Sequence, residues 1–126
     1  MTKYHLTTTA RAQTERVIRE TARKWGLAKA VAYNAALEKG FEEIAKLGQF
    51  MMTDFRANMV KGTDFSLHLI EHHYVAFKAY NGKNVIIVGV FHEKMNIPVK
   101  LKNLQQMSRA EISYLRDEID RETAAN

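Results

Sequence analysis

The most regular hydrophobic pattern in the chain is a pair of alternating stretches that flank an Asn-Gly dipeptide. Residues 74–80 and 85–91 are rich in β-branched and aromatic side chains, and Asn81-Gly82 lies between them. Asn-Gly favours a tight turn because both residues tolerate positive φ. The pattern therefore predicts a β-hairpin.

The period of two along a strand predicts which side chains of this hairpin share a face. With a two-residue turn at Asn81-Gly82 or at Gly82-Lys83, one face carries Val75, Phe77, Ala79, Ile86, Val88 and Val90. The second strand is also apolar on its other face, at Val85, Ile87 and Phe91. A strand that is apolar on both faces is predicted to be central in the sheet or covered by a partner.

Helical spacing replaces the strand period in the first third of the chain. From Thr8 onward, the positions at this spacing are Ala10, Thr14, Val17, Thr21 and Trp25. Thr7 or Thr8 can cap the first amides, and Gly26 suits the C-terminal end. This pattern predicts a first helix.

A second helix is predicted to follow from Leu27 to about Leu47. Its large inward residues are Tyr33, Leu37, Phe41 and Ile44. The connection at Gly26 is so short that the two helices must be antiparallel.

Three further segments complete the pattern. Tyr4 and Leu6 alternate with polar residues and predict an edge strand, and residues 65–72 predict another strand. Residues 48–64 lack clean periodicity. Their methionines indicate either core filler or an adaptable protein-binding surface, and they are Met51, Met52 and Met59.

The C-terminal segment predicts a third helix. Ser108 and Glu111 have the spacing of a capping box, and the helix should run to about Thr123. Its narrow apolar stripe is Ile112, Leu115 and Ile119. Three large residues cannot stabilise an isolated helix in water. The stripe must therefore rest either on the second face of the sheet or on the same helix of another copy.

Together these elements predict an α+β fold. An N-terminal antiparallel helical hairpin packs on a three- to four-stranded antiparallel sheet, and a C-terminal helix is added. Residues 1–107 are expected to form one domain, followed by a helical extension at residues 108–126. A chain of 126 residues can bury a sufficient core in one domain.

The charge of the chain favours an acidic partner. The formal net charge is +5, and residues 1–107 carry 16 cations against 9 carboxylates, whereas residues 108–126 carry three against five. The predicted outer face of the first helix is either a solvated surface or a functional basic one. Its cations are Arg11, Arg16, Arg19, Arg23 and Lys24.

Composition also bears on compartment and cofactors. The chain has no cysteine, no apolar signal core and no stretch as long as a membrane span, so a cytoplasmic location without membrane association is expected. Four histidines lack an acidic or thiolate partner at a fixed spacing, so neither a metal nor another cofactor is expected. They are His68, His72, His73 and His92.

The segment after the second hairpin strand carries a more specific pattern. It reads FHEKMNIP from Phe91 to Pro98: an aromatic residue and His, a charged pair, Met, a short polar residue, an aliphatic residue and Pro. This tail resembles the C-terminal signature of ParE-like toxins, which belong to the RelE/ParE superfamily of type II toxin–antitoxin systems. As an architecture the resemblance covers roughly residues 3 to 104.

The resemblance implies a toxin that inhibits DNA gyrase by protein contact and has no catalytic centre. The residues that match the tail, and that would contact the target, are Phe91, His92, Met95, Ile97 and Pro98. The alternative is that Phe91 and Met95 close the core while His92 caps the edge of the sheet.

A second function is open within the same superfamily, because RelE-like members cleave mRNA on the ribosome. Such chemistry needs groups that move protons and stabilise the phosphate. The residues that could converge near the hairpin are Lys78, Lys83, His92, Glu93 and Lys94. The resemblance implies that a ribonuclease commonly has an Arg in the sheet and that some have Tyr after the His. The absence of Arg from residues 65–91 and the presence of Glu93 after His92 therefore both count against a nuclease. A plain nucleic-acid-binding domain ranks last, because no recognition or stacking motif is present.

The resemblance also implies a cognate antitoxin that wraps the basic body of the toxin and contributes a helix and a strand. The helix at residues 108–126 would either occupy part of the antitoxin surface or mediate a homodimer. Its deletion should therefore change antitoxin affinity or oligomeric state.

Overall fold

The computed structural model describes residues 3–47 and 57–125 of the chain. Two long helices follow a short first strand, and the last two helices follow three further strands. The elements are β1 (Lys3–Leu6), α1 (Thr8–Trp25), α2 (Leu27–Leu47), α3 (Ala57–Val60), β2 (Ser66–Ile70), β3 (His73–Tyr80), β4 (Asn84–His92), α4 (Ile97–Met107) and α5 (Arg109–Ala125). The predicted helical hairpin, β-hairpin and C-terminal helix are confirmed.

The four strands form one sheet in the order β1-β4-β3-β2. β3 pairs antiparallel with both β2 and β4, and β4 is a central strand, as its two apolar faces predicted. β1 is the predicted edge strand, but it pairs parallel to β4, so the sheet is not wholly antiparallel. A parallel pair is possible here because a long crossover that includes α1 and α2 separates the two strands.

The register of the β-hairpin differs from the two-residue turn predicted from Asn81-Gly82. Tyr80 pairs with Asn84, so the loop has three residues, and Asn81 and Gly82 both have positive φ (50° and 78°). Because side chains alternate along a strand, the extra loop residue moves each side chain of β4 near the turn to the opposite face of the sheet from the one predicted. Phe77 therefore shares a face with Val85 and Ile87, and the prediction that it shares one with Ile86 and Val88 is wrong.

A β-bulge restores the predicted register further along the hairpin. Ala76 pairs with Gly89 and Phe77 with Ile87, which leaves Val88 as the extra residue on β4. Val75 therefore still faces the same side as Val90, as predicted. β1 pairs with β4 only as far as Ile87. Further along β4, the N–H of Val90 donates to Gln13 Oε1 of α1 at 2.8 Å.

Helices cover both faces of the sheet. One core cluster joins α1 and α2 to the face of Val75, Phe77 and Ile87. The second cluster joins α4 and α5 to the opposite face, where Ile112 and Ile119 of α5 are buried and Leu115 packs beside them. Of the two predicted resting places for the α5 stripe, the structure thus shows the sheet.

The predicted capping box at the start of α5 is wrong. The Ser108 hydroxyl donates to the carbonyl of Leu104 at 2.6 Å, and Glu111 reaches a different helix. Its two carboxylate oxygens accept from the N–H and the hydroxyl of Thr9, at 2.8 and 2.9 Å. Thr7 caps α1 as predicted, accepting from the N–H of Ala10 at 3.0 Å. Glu111 therefore adds a tertiary cap to α1, where its charge suits the helix N-terminus.

Helix α4 was not predicted from the sequence, although its Leu101 and Leu104 are buried against the sheet. Met59 packs on the α4–α5 core, whereas Met51 and Met52 lie outside the described residues. Over the part of the chain that the structure describes, none of the helices has the length and apolar character needed to cross a membrane.

Candidate functional site

The FHEKMNIP tail is the end of β4, a tight turn and the start of α4. The N–H of Met95 donates to the carbonyl of His92 at 3.0 Å, and the N–H of Lys94 donates to His92 Nδ1 at 3.1 Å. Asn96 then caps α4 by accepting from the N–H of Val99 at 3.4 Å. Pro98 lies in the first turn, where its missing N–H costs no hydrogen bond. The side chains of His92 and Asn96 thus have local structural roles in the tail.

Burial divides the predicted target-binding residues into two groups. Phe91 and Ile97 are only 6% and 2% exposed and belong to the core beneath α4 and α5. Met95 is 48% exposed, while His92 and Pro98 are half-buried. The surface of the tail is therefore formed by Met95 and the flanking polar residues, with Phe91 and Ile97 fixing its position from below.

Three histidines meet beside this tail. His73 pairs with His92 across the hairpin, and their ring centroids are 5.1 Å apart in an edge-to-face arrangement. The His72 ring stacks on His92 at 6.5 Å, and His72 Nδ1 lies 2.9 Å from Glu93 Oε1. The Tyr33 hydroxyl of α2 accepts from the N–H of His72 and contacts His73 Nδ1. We call His72, His73 and His92 the histidine cluster.

Burial keeps one member of the cluster neutral. Desolvation, reinforced by the neighbouring His92 and His72, lowers the pKa of His73 from 6.5 to about 4. At Nδ1, a neutral His73 can accept a hydrogen bond from the Tyr33 hydroxyl, which agrees with the observed contact.

This depressed pKa predicts a pH dependence of stability. Between pH 6.5 and about 4, His73 binds a proton in the unfolded chain but not in the folded one, so the free energy of unfolding should fall as the pH is lowered. Urea denaturation at pH 7 and pH 5 would measure the decrease. A His73→Asn variant should show a smaller decrease, because asparagine keeps an acceptor but does not titrate. An equal decrease in both proteins would contradict the assignment.

A cavity of about 360 Å³ separates the histidine cluster from the ends of α1 and α2. Lys24, Lys29 and Trp25 line it on the helical side, and Trp25 is 71% exposed. Trp25 continues the helical spacing of Ala10 and Val17, as predicted, and it is the last residue of α1.

The basic face of α1 is exposed along its length, as predicted, at Arg11, Arg16, Arg19, Arg23 and Lys24. Among residues 3–47 and 57–125, no carboxylate lies within 4 Å of these side-chain nitrogens. Lys24 lines the same cavity as His92, so the basic face continues to the predicted tail surface.

The predicted nuclease residues lie in two places. His92, Glu93 and Lys94 are consecutive at the tail. Lys78 is five residues from His73 along β3, about 17 Å at strand spacing, and its Nζ lies 3.5 Å from Asp64 Oδ2. Lys83 is in the hairpin loop, also at the far end. The structure therefore does not bring the five residues together.

Sequence patterns missed the contribution of Tyr33, His72 and His73 to this site. The adjacent histidines at the start of β3 were considered only as metal ligands, and Tyr33 only as an inward residue. The available signal was the hairpin pairing of His73 with His92. In the described ranges, no group of three or more His, Asp or Glu side chains is placed to hold a metal ion.

Comparisons with known proteins fit this architecture. No family model matches the chain. The chain is 33% identical over 101 residues to Toxin ParE of Escherichia coli, an alignment that covers 80% of this chain and 94% of the relative. A solved structure titled as the chromosomal ParDE TA system from P. aeruginosa has a TM-score of 0.61 and 13% identity, covering 73% of this chain and 96% of that one, which supports the fold. From the identity and coverage of the first relative, the chain belongs to the ParE toxins of the RelE/ParE superfamily of type II toxin–antitoxin systems.

Proposed function

We propose that this toxin inhibits DNA gyrase by protein contact through the FHEKMNIP tail, in the bacterial cytoplasm and without a cofactor. The observation that carries the proposal is the exposed Met95 on a turn that the core holds in place. Met side chains adapt to apolar partner surfaces, and buried neighbours reduce the entropy lost on binding. Gyrase as the target follows from the ParE resemblance.

The tail suits contact better than catalysis. Its Phe91 and Ile97 anchor β4 and α4 to the core, so Met95 is presented at a fixed place with His92 and Pro98 beside it. Lys24, at the C-terminal end of the basic face of α1, lines the same cavity as His92, and the basic face would steer an acidic partner surface toward the tail.

We further propose that a cognate antitoxin neutralises the toxin. The name of the P. aeruginosa structure describes a toxin–antitoxin system, and residues 1–107 of this chain carry an excess of cations. Among the strands that the structure describes, β2 is at the end of the order next to β3, and we propose that a strand of the antitoxin adds beside β2.

A supercoiling assay with purified gyrase tests the target. We expect Met95→Asp to raise the toxin concentration needed for half-inhibition at least about tenfold, because it places a charge in an apolar contact. Met107→Asp is the matched control, since Met107 is 73% exposed at the far end of α4, and it should change the value less than about twofold. Unchanged supercoiling at a high molar excess of wild-type toxin would refute gyrase as the target.

The alternative function is ribosome-dependent mRNA cleavage. The histidine cluster favours it, because His72 and His92 with Glu93 place proton-transferring groups beside a cavity. The distant Lys78 counts against the predicted catalytic set. Induction of the toxin in a bacterial host separates the two functions: gyrase inhibition should stop DNA synthesis first, and mRNA cleavage should stop protein synthesis first.

A further inference from the structure

A second cleft lies away from the tail, between the end of β3 and helices α4 and α5. Its volume is about 320 Å³. The cations that line it are Lys78 of β3 and Arg109 and Arg116 of α5. Among its lining side chains in the described part of the chain, Asp64 is the one carboxylate. We call it the β3–α5 cleft.

The spacing of residues along α5 creates the polar side of this cleft. Arg109, Ser113 and Arg116 are separated by four and three residues, so they lie on one face of the helix, next to the apolar stripe that fixes α5 on the sheet. Lys78 reaches the cleft from the sheet. Three cations and a hydroxyl thus converge from two rigid elements.

Counted over the described residues, the lining of the cleft has one carboxylate for its three cations. The carboxylate of Asp64 lies 3.5 Å from Lys78 Nζ, but it also accepts from Gln105 Nε2 at 3.0 Å, and the Asp64 N–H donates to the Gln105 side chain. Hydrogen bonding to Gln105 and the nearby Lys78 lower the pKa of Asp64, so it stays ionised at neutral pH. One carboxylate against three cations leaves a positive excess.

Arg116 has unused hydrogen-bonding capacity. Its guanidinium stacks 5.3 Å from the centre of the Tyr80 ring, and its Nε is enclosed with no hydrogen-bond partner among the described residues. The Tyr80 hydroxyl in turn donates to Asp120 at 2.8 Å, which fixes the ring under the guanidinium. The planar guanidinium of an arginine that is held in one place is a preferred ligand of oxyanions.

We propose that the β3–α5 cleft binds a phosphate group of a nucleotide or of a nucleic acid backbone. The phosphate monoester of a nucleotide carries about −1.5 to −2 charges at neutral pH and three acceptor oxygens, whereas a backbone phosphodiester carries one charge and two free oxygens. Either group would suit the positive excess and the donors of Lys78, Ser113 and Arg116. The cleft is larger than a phosphate and is lined in part by Phe65 and Ile112, so it has room for the group attached to the phosphate. The site is separate from the tail and does not depend on the gyrase proposal.

NMR titration of the full-length ¹⁵N-labelled toxin tests the site with three probes at constant ionic strength: pyrophosphate, adenosine monophosphate and a short DNA duplex. We expect saturable shifts of the amides of Lys78 and of Arg109 to Arg116. R116Q and K78Q should each weaken binding at least about tenfold, because each removes a charged hydrogen bond to the ligand. R121Q is the matched control and should change the affinity less than about twofold. It removes the same charge from α5, but Arg121 is exposed and paired with Glu118 at 2.9 Å.

Each outcome decides the proposal. Tighter binding of adenosine monophosphate than of DNA identifies a free nucleotide as the source of the phosphate, and the reverse identifies nucleic acid; both support the site. An absence of saturable shifts with all three probes at millimolar concentration overturns it. Equal weakening by R121Q overturns it in favour of diffuse charge, and an acidic peptide that displaces pyrophosphate at equal concentration overturns the preference for phosphate. Thermal unfolding of each variant shows whether it is folded, and K78Q decides the question if R116Q is not.

Discussion

Deletion of residues 108–126 is expected to abolish cooperative folding and to make the remaining chain self-associate. α5 buries Ile112 and Ile119 against the face of the sheet that contains Ile86 and Val88, and its removal exposes that face to water. The deletion also removes Glu111 from the N-terminus of α1. The loss of two buried isoleucines alone costs about 4 kcal/mol or more, against a total stability of about 5–15 kcal/mol for a typical domain.

Urea denaturation followed by circular dichroism, together with light scattering, would measure this effect. A double variant, Ile112→Ala with Ile119→Ala, should lose most of the stability without shortening the chain. Tyr114→Ala is the matched control, because Tyr114 lies on the same helix but is 63% exposed, and it should change the free energy of unfolding by less than about 0.5 kcal/mol. If the truncated chain unfolds cooperatively as a monomer, with wild-type stability, the packing of α5 on the sheet does not hold in solution. If it also binds the antitoxin as the full chain does, α5 has no part in that contact.

Phe77→Ala is expected to destabilise the toxin by about 3–5 kcal/mol, and the effect should depend on the residue at position 87. Phe77 is fully buried and pairs with Ile87 across the hairpin, on the face that α1 and α2 cover. Because Phe77→Ala leaves space beside Ile87, combination with Ile87→Val should be non-additive by about 0.5 kcal/mol or more.

Ile86→Val provides the matched control for this double-mutant cycle. Ile86 is as buried as Ile87 but faces α4 and α5, so its effect should add to that of Phe77→Ala within about 0.5 kcal/mol. Equal coupling of both isoleucines to Phe77, or stronger coupling to Ile86, would favour the two-residue turn over the observed register. Denaturant midpoints of the six proteins in the two cycles measure both values.

Local patterns were sufficient to predict most elements of this fold. The helical period and the caps at Thr7 and Gly26 predicted α1 and α2, since helix formation depends on residues only a few positions apart. The doubly apolar pattern of residues 85–91 predicted a central strand, and the tail from Phe91 to Pro98 identified the family.

Patterns failed where the same residues fit more than one local structure. Asn81-Gly82 fits both a two-residue and a three-residue loop. The loop length and the bulge at Val88 together set which side chains of β4 face α4 and α5, and these helices are distant from the loop in sequence. Ser108 and Glu111 fit a capping box, but Glu111 finds two donors on Thr9 of α1, 102 positions away. α4 was missed because Val99, Leu101 and Leu104 alone do not show a clear helical period.

The candidate sites show the same division. The tail and the basic face of α1 were visible in the sequence, because each is contiguous or lies on one helix. The histidine cluster needed Tyr33 of α2 to meet the hairpin, and the β3–α5 cleft needed Lys78 of β3 to meet two arginines of α5. Such groups are distant in sequence, and no period relates them.

The sequence by itself determined the helices α1, α2 and α5, the presence of the hairpin, the apolar character of both faces of the central strand and the membership of the ParE family. Each depends on residues near one another in the chain, where spacing fixes geometry. Only the tertiary structure decided the register of the hairpin, the parallel pairing of β1, the place of α5 on the sheet and the partners of Glu111 and Arg116. Those outcomes depend on competition between distant side chains for the same buried surface and the same hydrogen bonds, which becomes definite only when the chain is folded.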